Sequence, residues 1–389
     1  MREGWEYKKL GEVATYINGY AFKPEQWKVD GTPIIRIQNL NNPDAPYNYY
    51  EGEVPDKVKV YKGDLLISWS ASLGAYIWEG ETAYLNQHIF KVYFDKSNID
   101  KMYLKYAVSS KLDVMIGQVH GATMKHIVKK DFDNTLIPYP HITMQLSIVS
   151  ELDKITEMIS KYDEQLKELD KLSQSIFYEM FGDPVENEKG WEVKTLKSIA
   201  EKITSGNNAK LEADTYKTEG IPYFRCQNVW KNRIDYQDMV YIDEETNNKM
   251  KSSVLKHNDL LITKIGRINT ENSSLGRVSI YTGEDNKANL SGNLCYIRLL
   301  DVVNPIFVLH IMVSNFFRDY IRRTTVGGTD KRALNSPQIG RFPIILPPLS
   351  LQQSFARKIE AIEAMKSKVK EAKKEAETLL AARMQYWFE

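Results

Sequence analysis

LSIVSELDKITEMISKYDEQLKELDKLSQSIFYEMF, residues 146–181, reads as one long helix. Ile155, Ile159, Tyr162, Leu166, Leu169, Ser173, Ile176 and Met180 alternate steps of four and three, the heptad seam of a helix that pairs with another helix. A partner lies in the same chain. Between Phe355 and Phe388 the residues Ile362, Met365, Val369, Ala372, Ala376, Leu379 and Tyr386 carry the expected seam. Proline-rich exits precede both segments, Ile137-Pro138-Tyr139-Pro140 and Leu346-Pro347-Pro348-Leu349, as expected where proline starts a helix and cannot sit inside one. Gln145 to Gln352, Ile155 to Ile362 and Phe181 to Phe388 share one offset, so the two helices are copies of each other.

The duplication extends outward from them. Gly4-Trp5-Glu6 returns as Gly190-Trp191-Glu192, GTPIIRIQNL from Gly31 returns as GIPYFRCQNV from Gly220, and Asp64-Leu65-Leu66-Ile67 returns as Asp259-Leu260-Leu261-Ile262. The offset rises along the chain, which places insertions in the second copy's loops. Kept framework blocks between freely differing segments describe one scaffold carrying two contact surfaces. Within each copy, Lys8 to Tyr16 is expected as a short amphipathic helix, and Pro33–Ile37, Leu65–Trp69, Ile89–Phe94 and Leu294–Leu299 as strands. Helices are expected at Met102–Ser110 and Pro305–Tyr320. The fold class is α+β: two lobes, 1–145 and 183–348, each followed by a long helix, 146–182 and 349–389.

A chain of 389 residues is too long for one ordinary core. No apolar run approaches the ~20 residues of a membrane span, and the charged start is unlike a secretory leader. Cys226 and Cys295, the only cysteines, make neither a metal spacing nor a disulfide framework, which fits a reducing cytoplasm. Net charge is +1, but its distribution is uneven. The first long helix is acidic and the 183–348 segment is the most basic, so nucleic-acid contact is expected on the globular parts.

A helix of ~36 residues is ~54 Å long. If the two seams meet antiparallel, the chain nearly closes on itself around a pseudo-two-fold axis, and its lobes are spaced to meet successive major grooves ~34 Å apart. Heptad helices also serve as plain dimerisation devices. Recurrence behind a duplicated domain, with the same proline punctuation, makes a separator of two like modules the better account.

Over its whole length the sequence resembles the specificity subunit of type I restriction–modification systems. The resemblance is carried by the repeat of domain plus helix, by LPPLSLQQ at 346–353, by the ending FYEMFGDP at 177–184 and by the Gly-Trp-Glu restart. It implies two target-recognition domains separated by two long antiparallel coiled-coil helices, each domain reading one half of an asymmetric bipartite site in double-stranded DNA. It further implies that the helices set the gap and dock modification (methyltransferase) subunits, two of them, to which restriction (endonuclease and translocase) subunits add. The first exit departs from the pattern: PYPHITMQ lacks the paired prolines and the leucine.

Each lobe has a glycine-containing basic loop before its last strand. The first carries Gly121, Thr123, Lys125 and His126, and the second carries Arg322, Arg323, Gly328, Thr329, Lys331 and Arg332. Small residues let the backbone approach phosphates, and Lys or Arg neutralises them or contacts guanine. The loop after the DLLI strand is the other candidate, with Ser70 and Ser72 in lobe one and Lys264, Arg267 and Asn269 in lobe two. Gln38-Asn39 and Gln227-Asn228, kept in both copies, are expected to support the frame. Trp69, Trp78, Tyr76 and Tyr84 are expected as core or sheet-face residues rather than base-stacking platforms.

Motifs of catalysis are absent from the sequence. Asn42-Pro43-Asp44 and Asp183-Pro184-Val185 do not complete a methyltransferase Asn/Asp-Pro-Pro-aromatic segment, and there is no GxxxxGK[ST] loop. Pro55-Asp56 with Glu79 lacks the lysine of a nuclease end, and the histidines show no metal-ligand spacing. The expectation is a non-catalytic reader without cofactor, metal or membrane. Two rivals are a specificity module of another restriction enzyme class and a coiled-coil scaffold that binds no DNA.

Overall fold

The computed structural model describes residues 5–42, 44–70, 72–117, 127–207, 216–268, 273–327 and 331–389, except for the side chains of 113, 114, 116, 117, 326 and 327. The chain divides into two compact units, Met1–Gln165 with Val369–Glu389, and Leu166–Lys368.

In the first unit the buried run Leu65–Ser68 lies inside a four-stranded antiparallel sheet, ordered Thr15–Asn18, Ile89–Tyr93, Leu65–Ser68, Gly74–Ile77. Both faces of that strand are covered, which is why it reads as a continuous apolar run rather than an alternation. A second sheet, Asn48–Tyr50, Thr32–Ile35, Ala83–Leu85, Lys59–Val60, contains one parallel pair. Glu6–Lys9 pairs antiparallel with Leu136–Tyr139, so the lobe closes where it hands over to the helix Ile142–Phe181. The expected helix at Lys8–Tyr16 is instead strand, a single turn Leu10–Val13, and strand, because ladder pairing at both ends overrides its weak helical pattern. Pro33–Ile37 likewise divides into the strand Thr32–Ile35 and a short helix Ile37–Asn41, and Met102–Ser110 extends to Lys101–Gly117.

The second unit repeats this topology: Ala200–Ser205, Leu294–Leu299, Leu260–Thr263, Val278–Ile280 in antiparallel order, and Val193–Thr195 closing against Pro343–Ile345. Its Val240–Ile242, Ile221–Phe224, Asn289–Leu290 sheet again contains one parallel pair. The expected helix 305–320 is broken into Pro305–Met312 and Asn315–Thr324.

Both exits are built alike despite their different sequences. Gln145 donates to the Pro140 carbonyl (2.9 Å) and accepts from the Asp100 N–H (2.9 Å); Gln352 donates to Pro347 (2.7 Å) and accepts from Asn304 (2.9 Å). Both glutamines are fully buried. The accepting carbonyl is a proline's in both exits, five residues before the glutamine, so His141 in place of the second proline does not alter the clamp. Each core also receives a phenylalanine from a helix end. Phe388 packs on Tyr103 in the first unit and Phe181 on Phe307 in the second, with centroids 5.3 Å and 4.9 Å apart. The ending FYEMFGDP acquires a physical reading: Gly182 takes φ 74°, while Lys189 and the Trp191 indole donate to the helix's last carbonyls.

The helix pair runs antiparallel inside each unit. Glu151 meets Arg383 and Asp163 meets Lys373 (2.6 Å) in the first, and Asp170 meets Lys366 (2.6 Å) in the second, so one number falls as the other rises. The seam of Ile142–Phe181 lies as expected, but that of Leu349–Phe388 is shifted by about one residue along much of its length. Met365, Leu379 and Tyr386 are exposed; the inward stripe is Phe355, Ile359, Ile362, Lys366, Val369 and Ala376, buried, with Lys373, Leu380, Arg383 and Trp387 half-buried. An apolar count misses this because three seam positions hold cations whose carboxylates come from the other helix.

Candidate nucleic-acid interface

Gly19 and Gly206 fix a close backbone approach that both lobes share. A Cβ on Gly19 would lie 2.2 Å from the carbonyl oxygens of Leu85 and Asn86, and one on Gly206 would lie 2.2 Å from Ser291 O and 2.3 Å from Leu290 O. Nearby, Asn39 and Asn228 are buried and accept from the backbone N–H of Arg36 (3.1 Å) and Arg225 (2.9 Å), which makes them frame, as their presence in both copies suggests.

On this frame the residue after the DLLI strand is Trp69 in one lobe and Lys264 in the other. Trp69 N donates to His88 O (3.3 Å) and Lys264 N to Asn293 O (2.9 Å); Ile127 N donates to Trp69 O (3.0 Å) and Leu334 N to Lys264 O (2.7 Å). The backbone bonds are equivalent while the side chains are exchanged. Trp69 Nε1 donates to Asn18 Oδ1 (3.1 Å), whereas Lys264 Nζ donates to Ser205 Oγ (2.6 Å) and Gly292 O (3.3 Å). His88 and Gln87 on one side correspond to Asn293 and Gly292 on the other. Sequence reading missed Asn18, His88, Ser205 and Asn293. Carrying the two-copy alignment outward from the framework blocks would have found them.

In the second unit the segment after Lys264 is a strand, Ile265–Arg267, within a small sheet with Lys331–Ala333 and Val326–Gly327. The expected loop 322–332 is therefore the end of a helix followed by two strands. Arg267 stands opposite Lys331 and Gly266 opposite Arg332, so two exposed cations share one face. Gly266 is required there, since a Cβ would fall 2.6 Å from the backbone nitrogen of Leu275. Arg332 turns inward to the carbonyls of Arg322 (3.2 Å) and Thr325 (3.4 Å), and Arg322 is bridged to Asp319 (2.8 Å). Arg323 is exposed, and its Nε donates to Asp319 O (3.3 Å). In the first unit Ser72 is exposed but Ser70 is buried, and the Ser68 hydroxyl donates to Ser72 O (2.5 Å). Gly121, Thr123, Lys125, His126, Asn269, Gly328 and Thr329 lie outside the described residues. Trp78 is buried, with its indole donating to Glu81 O (2.8 Å), while Trp69, Tyr76 and Tyr84 are half-buried.

Among the described residues no three His, Cys, Asp or Glu side chains are grouped as metal ligands, and no helix is long and apolar enough to cross a membrane. Both cysteines are free, and burial pushes the Cys295 thiol up to about 12.

A duplicated lobe on one backbone frame, each copy followed by a long helix and carrying different side chains at equivalent positions, defines a two-headed recognition protein. Comparison with known sequences and structures agrees. The family model described as "Type I restriction modification DNA specificity domain" matches residues 2–171 and 188–378, and the chain belongs to that family. The chain is 22% identical to the EcoBI specificity subunit of Escherichia coli, over 94% of this chain and 80% of that one. It is 23% identical to the MjaVIII specificity subunit of Methanocaldococcus jannaschii, over 97% and 92%. Among solved structures, the type I S subunit from M. genitalium covers 100% of this chain and 98% of its own at TM-score 0.56 and 14% identity. A chain from a study of type I complex assembly covers 99% and 97% at TM-score 0.58 and 16% identity. The chain is a DNA sequence-specificity subunit, a non-catalytic kind of subunit, and the comparisons lend no support to either rival reading.

Proposed function

We propose that the recognition domains 1–145 and 183–348 each read one half of an asymmetric bipartite site, while the paired helices set the gap between the halves. The observation that carries this is the exchange of Trp69, His88 and Asn18 for Lys264, Asn293 and Ser205 on equivalent backbone bonds, since unlike side chains at one place on a common frame select unlike bases. In the second domain the strand pair bearing Arg267 and Lys331 enters the major groove, which admits a two-stranded ribbon. Arg322, Arg323 and Thr329 also contact DNA, as do Ser72, Gly121, Thr123, Lys125 and His126 of the first domain. Lys264 and Arg332 position these segments.

Methylation and cleavage belong to partner subunits in the cytoplasm, and the chain itself needs no cofactor. Exposed apolar residues repeat along the helices at the duplication offset, Met144 with Leu351, Met158 with Met365 and Leu172 with Leu379. Equivalent faces suit two modification subunits, to which restriction subunits add. Methylation profiling of DNA from cells carrying the intact system tests the reading. Two unlike sequence blocks separated by a fixed unread gap are expected; a single block or a palindrome refutes it.

A further inference from the structure

The second unit contains a cavity of about 560 Å³ beside the basic strand pair, lined in part by Ile268, which follows the strand Ile265–Arg267. Its described lining includes four cations, Lys231, Arg277, Arg318 and Arg322, and no Asp or Glu. Arg277 and Arg318 converge on one acceptor, the Ser273 carbonyl, at 3.1 Å and 3.5 Å, and Arg318 also donates to Leu275 O. Arg277 lies over the Trp230 ring, its guanidinium carbon 3.9 Å from the ring centre. The helix Asn315–Thr324 starts in the wall, where the Ser314 hydroxyl turns back to Ile311 O (2.7 Å) and leaves the first-turn N–H groups without a side-chain cap. Converging guanidiniums repel one another, and burial followed by repulsion from Arg322 and Arg277 holds Arg318 below the usual arginine range.

We propose that this cavity is a phosphate seat, taking a DNA backbone phosphate next to the groove that the Arg267–Lys331 strand pair enters. Arginine forks and an uncapped helix start both suit a phosphodiester. The first lobe has Gly74 and Asn42 at the positions corresponding to Arg277 and Lys231, so the seat belongs to the second head alone and fixes its register on the duplex without reading sequence. The inference rests on the DNA-reading function proposed above.

The test uses the full chain assembled with its modification subunits and duplexes carrying either the methylated motif or a scrambled one. Lys231→Gln and Arg277→Gln are each expected to lower the slope of log affinity against log salt by about 0.9 and to weaken both duplexes by the same factor. A neutral methylphosphonate at one position should weaken the wild type but not Arg277→Gln. An unchanged slope, or a loss confined to one base position, overturns the seat. Should Arg277→Gln lose its fold by circular dichroism, Lys231→Gln and Arg322→Gln carry the same test. Wild-type assemblies that prefer neither duplex would sink the DNA-reading function as well.

Discussion

Gln145 and Gln352 show how little of a working detail is visible at the level of one residue. Each is a polar side chain with zero exposure that joins the carbonyl before a helix to the N–H starting another. Removing it strands a buried donor and a buried acceptor, so Gln352→Ala should cost about 2 kcal/mol, read as a lower urea midpoint at unchanged slope. A change under about 0.5 kcal/mol would mean that water replaces the clamp. His310 offers a pH test. It stacks on Phe177 at 4.9 Å and meets Phe355 edge to face at 5.1 Å, and burial, with repulsion from Lys366 and Lys231, lowers its pKa from 6.5 to about 4. The fold therefore holds it neutral. Stability is complete above pH 6.5 and is lost as pH falls toward 4, by as much as about 3 kcal/mol. His310→Phe should flatten that part of the stability profile, and an unaltered profile assigns the acid sensitivity elsewhere.

At the scale of the element, the long helices were legible from their heptads and their shared offset, but the face of the second was not. Lys366, Lys373 and Arg383 occupy seam positions that an apolar pattern skips, and only the carboxylates on the opposing helix explain them. Lys366→Glu would set an acid against Asp170 and Glu363. A loss of about 1–2 kcal/mol is expected, below the ~3–5 of a fully buried pair because Asp170 is largely exposed. Adding Asp170→Lys should recover most of it; no recovery would argue against the antiparallel register. The exposed partners of the seam make the complementary case. Met158→Glu with Met365→Glu should leave the urea midpoint within about 0.5 kcal/mol of wild type while preventing co-purification of modification subunits. Retained co-purification would move the docking face elsewhere.

For the whole molecule the decisive quantity is spacing. A heptad inserted in both long helices at matched positions adds ~10 Å of helix against ~3.4 Å per base pair, so the unread gap of the site should grow by about three base pairs. Methylated motifs with the original gap would show that the helices do not act as the ruler. The duplication, the α+β lobes and the two-headed reading were all legible because a repeat is preserved as sequence wherever it is needed as frame: the Gly-Trp-Glu start, the Gln-Asn pair and the DLLI strand.

The sequence by itself determined that there are two like halves and two like helices, since apolar periodicity and repeated blocks are local properties of a chain. Tertiary structure alone decided which side chains of the basic segments face outward. Arg267 and Lys331 are brought opposite each other by strand pairing across more than sixty residues, whereas Lys264 and Arg332, chemically alike, are turned inward by acceptors that other segments supply. A cation's role depends on what lies within three ångströms of it, and residues distant in sequence set that.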